Sequence, residues 1–301
     1  MKEWGRTACA LCGILVYLLW AAGAMGEDVL PQMVTVNFPE GRALAVSQNT
    51  GDNYSASESG YSDDGLSYHD DSLDVKLHRI RAYDTSIVVA FVQIANAAQM
   101  KTEQSQPYPS KTTVRVNDIA RRVKAVLAVN ADWFTYHSTG IVYRNGELLR
   151  NRPNEEYDGL AIDVNGDFHI IRPMTEEGYA QIPAPIANSF AFGPALVVDG
   201  EVREIVNRRV TYVQRMAIGQ IAPLCYVLVA TDGPDQKNSA GLSIPQLAEL
   251  MFGLGAHTAY NLDGGQSTSM LMRQTKVNGE NPLTIRAVGD IVYFITAIAD
   301  E

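Results

Sequence analysis

Three acids stand where the chain leaves an apolar run. They are Asp132 in Asn130-Ala131-Asp132-Trp133-Phe134, Asp232 in Thr231-Asp232-Gly233-Pro234, and Asp263 in Tyr260-Asn261-Leu262-Asp263-Gly264-Gly265-Gln266-Ser267-Thr268-Ser269. A carboxylate at a strand end can serve as base, nucleophile or proton donor toward a ligand held beyond that end. The third stretch is the densest, with an acid, two glycines and three hydroxyl residues in succession around Gln266. Gly264 and Gly265 can take positive φ and let the main chain approach a ligand closely, and successive amides in a tight turn form a nest for an anion. Asp-Gly between apolar runs is also an ordinary hairpin turn, and each acid alone reads most simply that way. What argues for a site is the company: Asn130 and Trp133 beside the first acid, Gly233 beside the second, glycines and hydroxyls beside the third.

Other chemistries find no support in the spacing. There is no nucleophile elbow, HExxH helix, P-loop or Cys/His cluster, and His69, His78, His137, His169 and His257 are not spaced as ligands. Phe252-Gly253-Leu254-Gly255 follows a helical stripe and lacks a third glycine, so it is no dinucleotide loop. No cofactor is expected. The Asp, Asn and hydroxyl oxygens would suit a hard divalent cation, which leaves a metal requirement open.

The elements that must carry these residues are mostly strands. Val75 to Arg81 alternates and Ile87 to Ile94 is a continuous β-branched run, predicting two strands about a turn at Asp84. Asn117 can cap a short helix through Val123, and Ala125 to Val129 is a buried strand delivering the Asp132 loop. Asn145-Gly146, Asn165-Gly166 and Asp199-Gly200 each sit between alternating segments and read as tight hairpins, the first two as type I′ turns. Phe190 to Val198 reads as one strand with Gly193-Pro194 as a bulge or edge. Arg215 to Gln220, Cys225 to Ala230 and Arg286 to Ala297 complete the strands. Ser243-Ile244-Pro245-Gln246 is a capping box opening a helix with Leu247, Leu250, Met251 and Leu254 on its buried stripe. The fold class expected is α+β: a single domain of largely antiparallel or mixed sheet, several hairpins and a few packed helices.

Lys2 and Arg6, the apolar run Ala8 to Ala24, and the small residues Ala22 and Ala24 make residues 1–24 a secretory signal peptide by pattern, the alternative being an uncleaved anchor. Export to the cell envelope or beyond follows. Residues 25–74 read as an acidic, partly flexible arm, and residues 75–301 as the folded domain. The acids from Asp52 to Asp74 lack EF-hand spacing. Cys9 and Cys12 leave with the leader, so Cys225 stays without an intramolecular partner and the core must supply stability. The net charge of −10 argues against nucleic acid and against a polybasic membrane surface, with no membrane contact expected beyond the leader.

In order and spacing, Asn130-Ala131-Asp132-Trp133-Phe134, Phe192-Gly193-Pro194 with Asp199-Gly200, Arg215-Met216-Ala217-Ile218-Gly219, Thr231-Asp232-Gly233 and above all Asn261-Leu262-Asp263-Gly264-Gly265-Gln266-Ser267 resemble the phosphodiester glycosidase family. That family includes the lysosomal uncovering enzyme, which removes N-acetylglucosamine from a phosphodiester. The resemblance spans roughly Val75 to the C-terminus. It implies a catalytic role for Asp263, Asp232 and Asp132. It also implies substrate contacts for Asn130, Arg215, Asn261, Gly264, Gly265, Ser267 and Gly193, with a carbohydrate or sugar-phosphate partner. Three positions depart from the family pattern: Gln266 for a third glycine, Ala131 for glycine, and Pro234 for arginine. The expectation is an exported hydrolase in which Asp263 acts as base or nucleophile, Asp232 supports or shares proton transfer, and Arg215 and the Gly264–Ser267 amides hold the phosphate. The competing expectations are a non-catalytic envelope module that binds glycans and an ordinary two-carboxylate glycosidase.

Overall fold

A computed structural model describes residues 30–39, 55–205, 211–234 and 238–298. The expected leader over residues 1–24 lies outside the described residues, and so does part of the arm.

Two antiparallel sheets face each other, and each has a helix on its outer side. The larger has eight strands in the order Ser67–His69, Leu73–Ala82, Thr85–Ile94, Cys225–Thr231, Met216–Ala222, Thr258–Asn261, Ala195–Val198 and Glu201–Val202. The smaller runs Thr275–Lys276, Met270–Met272, Leu127–Asn130, Asp290–Phe294 and Met100–Gln104. Between them lies the main core, where Val88, Ala90, Val92, Ile218, Leu228 and Tyr260 meet Leu127, Val129, Met270, Val292 and Phe294. The opposite face of the large sheet, with Ile87, Val89, Phe91, Val227 and Val229, is covered by helix Ile244–Gly253 through Leu247, Leu250 and Met251. Helix Val116–Arg122 covers the outer face of the small sheet through Val116, Ile119 and Ala120. The unbroken apolar run Ile87 to Ile94 has its reason here: both faces of that strand are buried, so no position is left for polar alternation. Among the described residues the domain is therefore β-dominant with three short α-helices, more sheet than an evenly mixed α+β label implies.

Several local readings change. The Ser243 capping box is present, with Gln246 returning to the Ser243 amide. Helix Val116–Arg122 has its N-cap at Arg115, two residues before the expected Asn117 and without a side-chain hydrogen bond, and ends one residue before the expected Val123. At the Asn145 and Asp199 turns both central residues are left-handed, as type I′ requires. The Asn165 turn is longer: strands Gly159–Asp163 and Phe168–Ile171 are joined by four residues, with Asp163 accepting amides from Asn165 and Asp167. The supposed strand Phe190 to Val198 is two strands in different sheets. Ile186–Phe190 belongs to a three-stranded sheet and Ala195–Val198 to the large one, and the chain passes between them at Gly193 (φ +69°). A domain start at Val75 falls inside strand Leu73–Ala82, and Ser67–His69 already pairs with it, so the ordered sheet begins within the stretch assigned to the arm.

Gln99 ties the two sheets together. Its Nε2 donates to Ser72 O and Ile295 O, each at 3.0 Å, while its Oε1 accepts from the amides of Ala95 and Asn96. Ser72 leads into the large sheet and Ile295 leaves the small one. Replacing it by leucine preserves bulk but strands buried backbone groups at about 1–3 kcal/mol each. Gln99→Leu is accordingly expected to lose at least about 2 kcal/mol in a urea unfolding experiment.

Candidate functional site

Strand Thr258–Asn261 ends in the large sheet and strand Met270–Met272 begins in the small one, so residues 262–269 must cross between sheets. A crossing segment cannot satisfy its backbone from one ladder, and this one is held from both sides. The Leu262 amide donates to Met216 O of the large sheet at 2.9 Å, and the Asp263 amide donates to Ala131 O, beyond the small-sheet strand, at 3.1 Å. Asn130 clamps it further: its Nδ2 donates to Asp263 O at 2.7 Å and its Oδ1 accepts the Ser269 amide at 3.0 Å. Asn261 is the counterpart on the other sheet, donating Nδ2 to Gly193 O at 2.7 Å. Both asparagines thus spend their amides on fixing backbone.

The two glycines do different work. Gly265 is left-handed (φ +59°) with open space where a Cβ would stand. Gly264 has φ −118°, and its need for glycine comes from close approach: a Cβ there would lie 2.6 Å from Gln214 O. The expected anion nest is largely spent inside the protein. The Gly264 amide and the Ser267 hydroxyl bond the Asp263 carboxylate, the Gly265 amide goes to Gln214 O, and the Ser267 amide to Gly264 O.

Burial raises the Asp263 carboxyl above its usual range. The hydrogen bonds from Ser267 and Gly264 and the charge of Arg286 pull it back, and the charge of Asp132 pushes the same way as burial. Arg286 is exposed, and among the described residues its guanidinium has no hydrogen-bond partner.

Beneath Asp263 lies a buried ionic cluster. Asp132 is 1% exposed; its Oδ1 accepts from Arg144 Nη2 at 2.7 Å and its Oδ2 from the Ala191 amide at 2.8 Å. The same guanidinium donates Nε to Asp290 Oδ2 at 2.9 Å and packs 4.6 and 4.8 Å from the ring centres of Phe134 and Phe190. Asp290 is 1% exposed and its Oδ1 is buried without a partner among the described residues. Burial raises its carboxyl strongly, the Arg144 charge opposes, and the charges of Asp132 and Asp263 add to the rise. Two carboxylates thus share one cation. Asn261 Oδ1, Thr268 Oγ1 and Ser269 Oγ are also buried without partners in the segments converging on Asp263. Such groups are uncommon, and their gathering here marks the place as one built for something other than packing.

Two expected members have their side chains engaged elsewhere. Arg215 turns its guanidinium toward the helix side of the large sheet, donating to Leu242 O and Thr211 O, both at 2.9 Å; burial lowers it to about 10. Asp232 accepts the Gly279 amide at 2.8 Å and is raised by burial against Gly279, Lys276 and Arg79. The backbone of Arg215 nonetheless lies against the crossing segment, its Cα 3.7 Å from where a Gly264 Cβ would stand. The structure brings together Asn130, Asp132, Asn261, Asp263, Gly264, Gly265 and Ser267, with Gly193 held by Asn261. Sequence reasoning passed over Arg144, Asp290 and Arg286. The available signal was a lone charge in an apolar strand pattern, at Val142-Tyr143-Arg144 and at Asp290 heading Ile291-Val292-Tyr293-Phe294. Among the described residues no group of three or more His, Cys, Asp or Glu side chains is arranged to hold a metal.

A family model described as phosphodiester glycosidase matches residues 123–295, more than half of the chain, and the chain belongs to that family. It is similar to the SPbeta prophage-derived uncharacterized protein YomE of Bacillus subtilis (strain 168), 26% identical over 186 residues, which cover 58% of this chain and 28% of that protein. The chain thus spans under a third of that relative's length. Its fold is similar to the catalytic domain of zebrafish N-acetylglucosamine-1-phosphodiester alpha-N-acetylglucosaminidase auto-inhibited by its pro-peptide, with a TM-score of 0.60 and 15% identity over 80% of this chain and 86% of that one. A hypothetical protein from Synechocystis matches with a TM-score of 0.55 and 15% identity, covering 75% of this chain and 62% of that one.

Arg144→Met should cost about 3–5 kcal/mol, because it leaves two buried carboxylates without their cation. Asp290 holds its proton more tightly folded than unfolded, so its contribution to stability falls as pH rises above the ordinary carboxylate value of about 3.9. Asp290→Asn should flatten that fall, as read from urea midpoints across a pH series.

Proposed function

We propose that the chain is an exported hydrolase that cleaves the glycosidic bond between a sugar and phosphate, with Asp263 acting at the anomeric carbon. The observation that carries this reading is the Asp263 carboxyl. It is partly buried, raised by that burial, and oriented by Ser267 and Gly264, with the unpaired cation of Arg286 acting on it from the surface.

The leaving group of a sugar phosphodiester is a phosphate monoester. It departs with the electron pair of the broken C–O bond as a weakly basic anion, and a strong general acid is not required. One activated carboxylate and one cation are then sufficient machinery. Asp263 either takes a proton from the attacking water or attacks the carbon itself, and Arg286 meets the charge on the phosphate. Arg286 takes over the role expected of Arg215, whose guanidinium is committed to Leu242 and Thr211. Asp132 and Asp290, locked on Arg144, act as positioning residues that hold the Ala131 carbonyl and hence the Asp263 amide in place. An ordinary glycosidase instead needs a second carboxyl facing open space about 5–9.5 Å away. Both Asp132 oxygens are already engaged, which favours the phosphodiester reading.

Export is supported by the leader-like N-terminus and by the fold similarity to a protein of Burkholderia pseudomallei K96243 whose name describes it as exported (TM-score 0.51, 15% identity, covering 70% of this chain and 74% of that one). The substrate is a carbohydrate phosphodiester, and turnover with and without EDTA decides whether a divalent cation takes part.

Purified protein should release free sugar from a sugar phosphodiester, with kcat/KM rising with pH through an acid limb above the ordinary carboxylate range, since Asp263 must be ionised to act. Asp263→Asn should keep its thermal midpoint and lose at least about a hundredfold in turnover. A folded Asp263→Asn protein with unchanged turnover would remove Asp263 from the mechanism, and glycan binding without turnover would favour a binding module.

A further inference from the structure

Beside the carboxylate the chain holds up a group of aromatic rings that neither the core nor the reaction accounts for. Trp133 is 38% exposed and Tyr136 46% exposed, their ring centres 5.0 Å apart and tilted by 34°. The His137 ring stands perpendicular to Trp133 at 5.6 Å and edge-on to Phe192 at 6.0 Å, and His137 Nε2 is buried without a partner among the described residues.

Exposed aromatics can be incidental, but these are built. Trp133 has φ +58°, a left-handed conformation that is costly for a bulky side chain and persists only where the surroundings impose it. The surroundings do so from beneath. Phe134 is buried under Arg144, and Arg150 Nη1 donates to Phe134 O and His137 O at 2.8 and 2.5 Å. Within the turn, the Tyr136 amide donates to Trp133 O and the His137 amide to Phe134 O. Tyr136 is braced from the side by its hydroxyl on Lys111 O. Two buried guanidinium groups thus fix a turn whose outward product is a rigid, solvent-facing aromatic surface. It adjoins the site: Trp133 follows Asp132, and Ala131 O receives the Asp263 amide.

We infer that Trp133 and Tyr136 form a stacking subsite for a pyranose ring of the substrate, with the His137 ring bracing Trp133 edge-on from below. The negative face of an aromatic ring attracts the positively polarised C–H groups on one face of a pyranose, while the equatorial hydroxyls stay at the edge where polar atoms can meet them. A flat phosphate-binding surface would show cations instead, and among the described residues the exposed part of this turn carries none. The subsite deepens the hydrolase reading and rests on it for the identity of the ligand as sugar.

Trp133 is the one tryptophan outside the first 24 residues, so a full chain carrying Trp4→Phe and Trp20→Phe reports on it alone by fluorescence. Titration with free glucose, galactose, mannose and N-acetylglucosamine should give a saturable change with at least one of them and none with inorganic phosphate. Trp133→Gly is the decisive variant, because glycine relieves the left-handed strain. It should melt no lower than the parent yet raise KM for a sugar phosphodiester about tenfold, with kcat within about threefold, and Tyr136→Ala should do likewise. A structural role for Trp133 would give the reverse: a lower melting temperature and an unchanged KM. The titration needs no turnover. A chain that binds a pyranose through Trp133 but hydrolyses no sugar phosphodiester overturns the hydrolase reading and leaves the subsite standing. Turnover with unchanged KM in both variants, or no fluorescence response to any of the four sugars, overturns the subsite.

Discussion

One guanidinium carries two carboxylates in the interior, and much of the site depends on that imbalance. Arg144 comes from the hairpin strand Gly140–Arg144, Asp132 from the loop after strand Leu127–Asn130, and Asp290 heads the neighbouring strand. Arg144 also donates to Ser189 O in the three-stranded sheet, so a single side chain links three sheets. Phe134 and Phe190 on its faces keep water away and strengthen each charge interaction by lowering the local dielectric. A buried pair of this kind contributes little net stability, since desolvation offsets attraction, but it is unforgiving of any other arrangement. Its worth here is geometric. It fixes where the Asp132 loop runs, and that loop supplies the carbonyl that holds the Asp263 amide and the turn that presents Trp133.

The second constraint is the crossing of the chain from one sheet to the other. Asn130 and Asn261 end strands in opposite sheets and both direct their amides at backbone, one to the crossing segment and one to the Gly193 loop. The neighbouring polar side chains then are not all satisfied, and among the described residues Asn261, Thr268, Ser269 and Asp290 each keep an oxygen unpartnered. A core made for stability alone would have placed apolar groups there. The open end between the sheets accordingly concentrates negative charge, unpaired polar atoms and one exposed cation, Arg286.

The loop chemistry differs from its appearance. Consecutive glycines suggest an empty cradle of amides, yet the turn folds those amides onto Asp263 itself and onto Gln214. They orient and partly stabilise the carboxylate against the desolvation that raises it. Gln266 in place of a third glycine costs little in this arrangement, because its side chain is exposed and its backbone is not left-handed.

The sequence by itself determined the elements whose signals are local. The capping box at Ser243, the tight hairpins at Asn145 and Asp199, and the strand Ile87 to Ile94 depend on residues a few positions apart, and the Asp263 stretch declared itself by its own polar density. It misjudged what depends on distant partners. Phe190 to Val198 reads as one strand because both halves are apolar, and only the two sheets competing for them split it. Arg144 and Asp290 are 146 positions apart, and nothing near either one announces the other. Their pairing was decided by tertiary structure alone, because a charge enters a core only where its counter-charge arrives with it, and that meeting is a property of the fold.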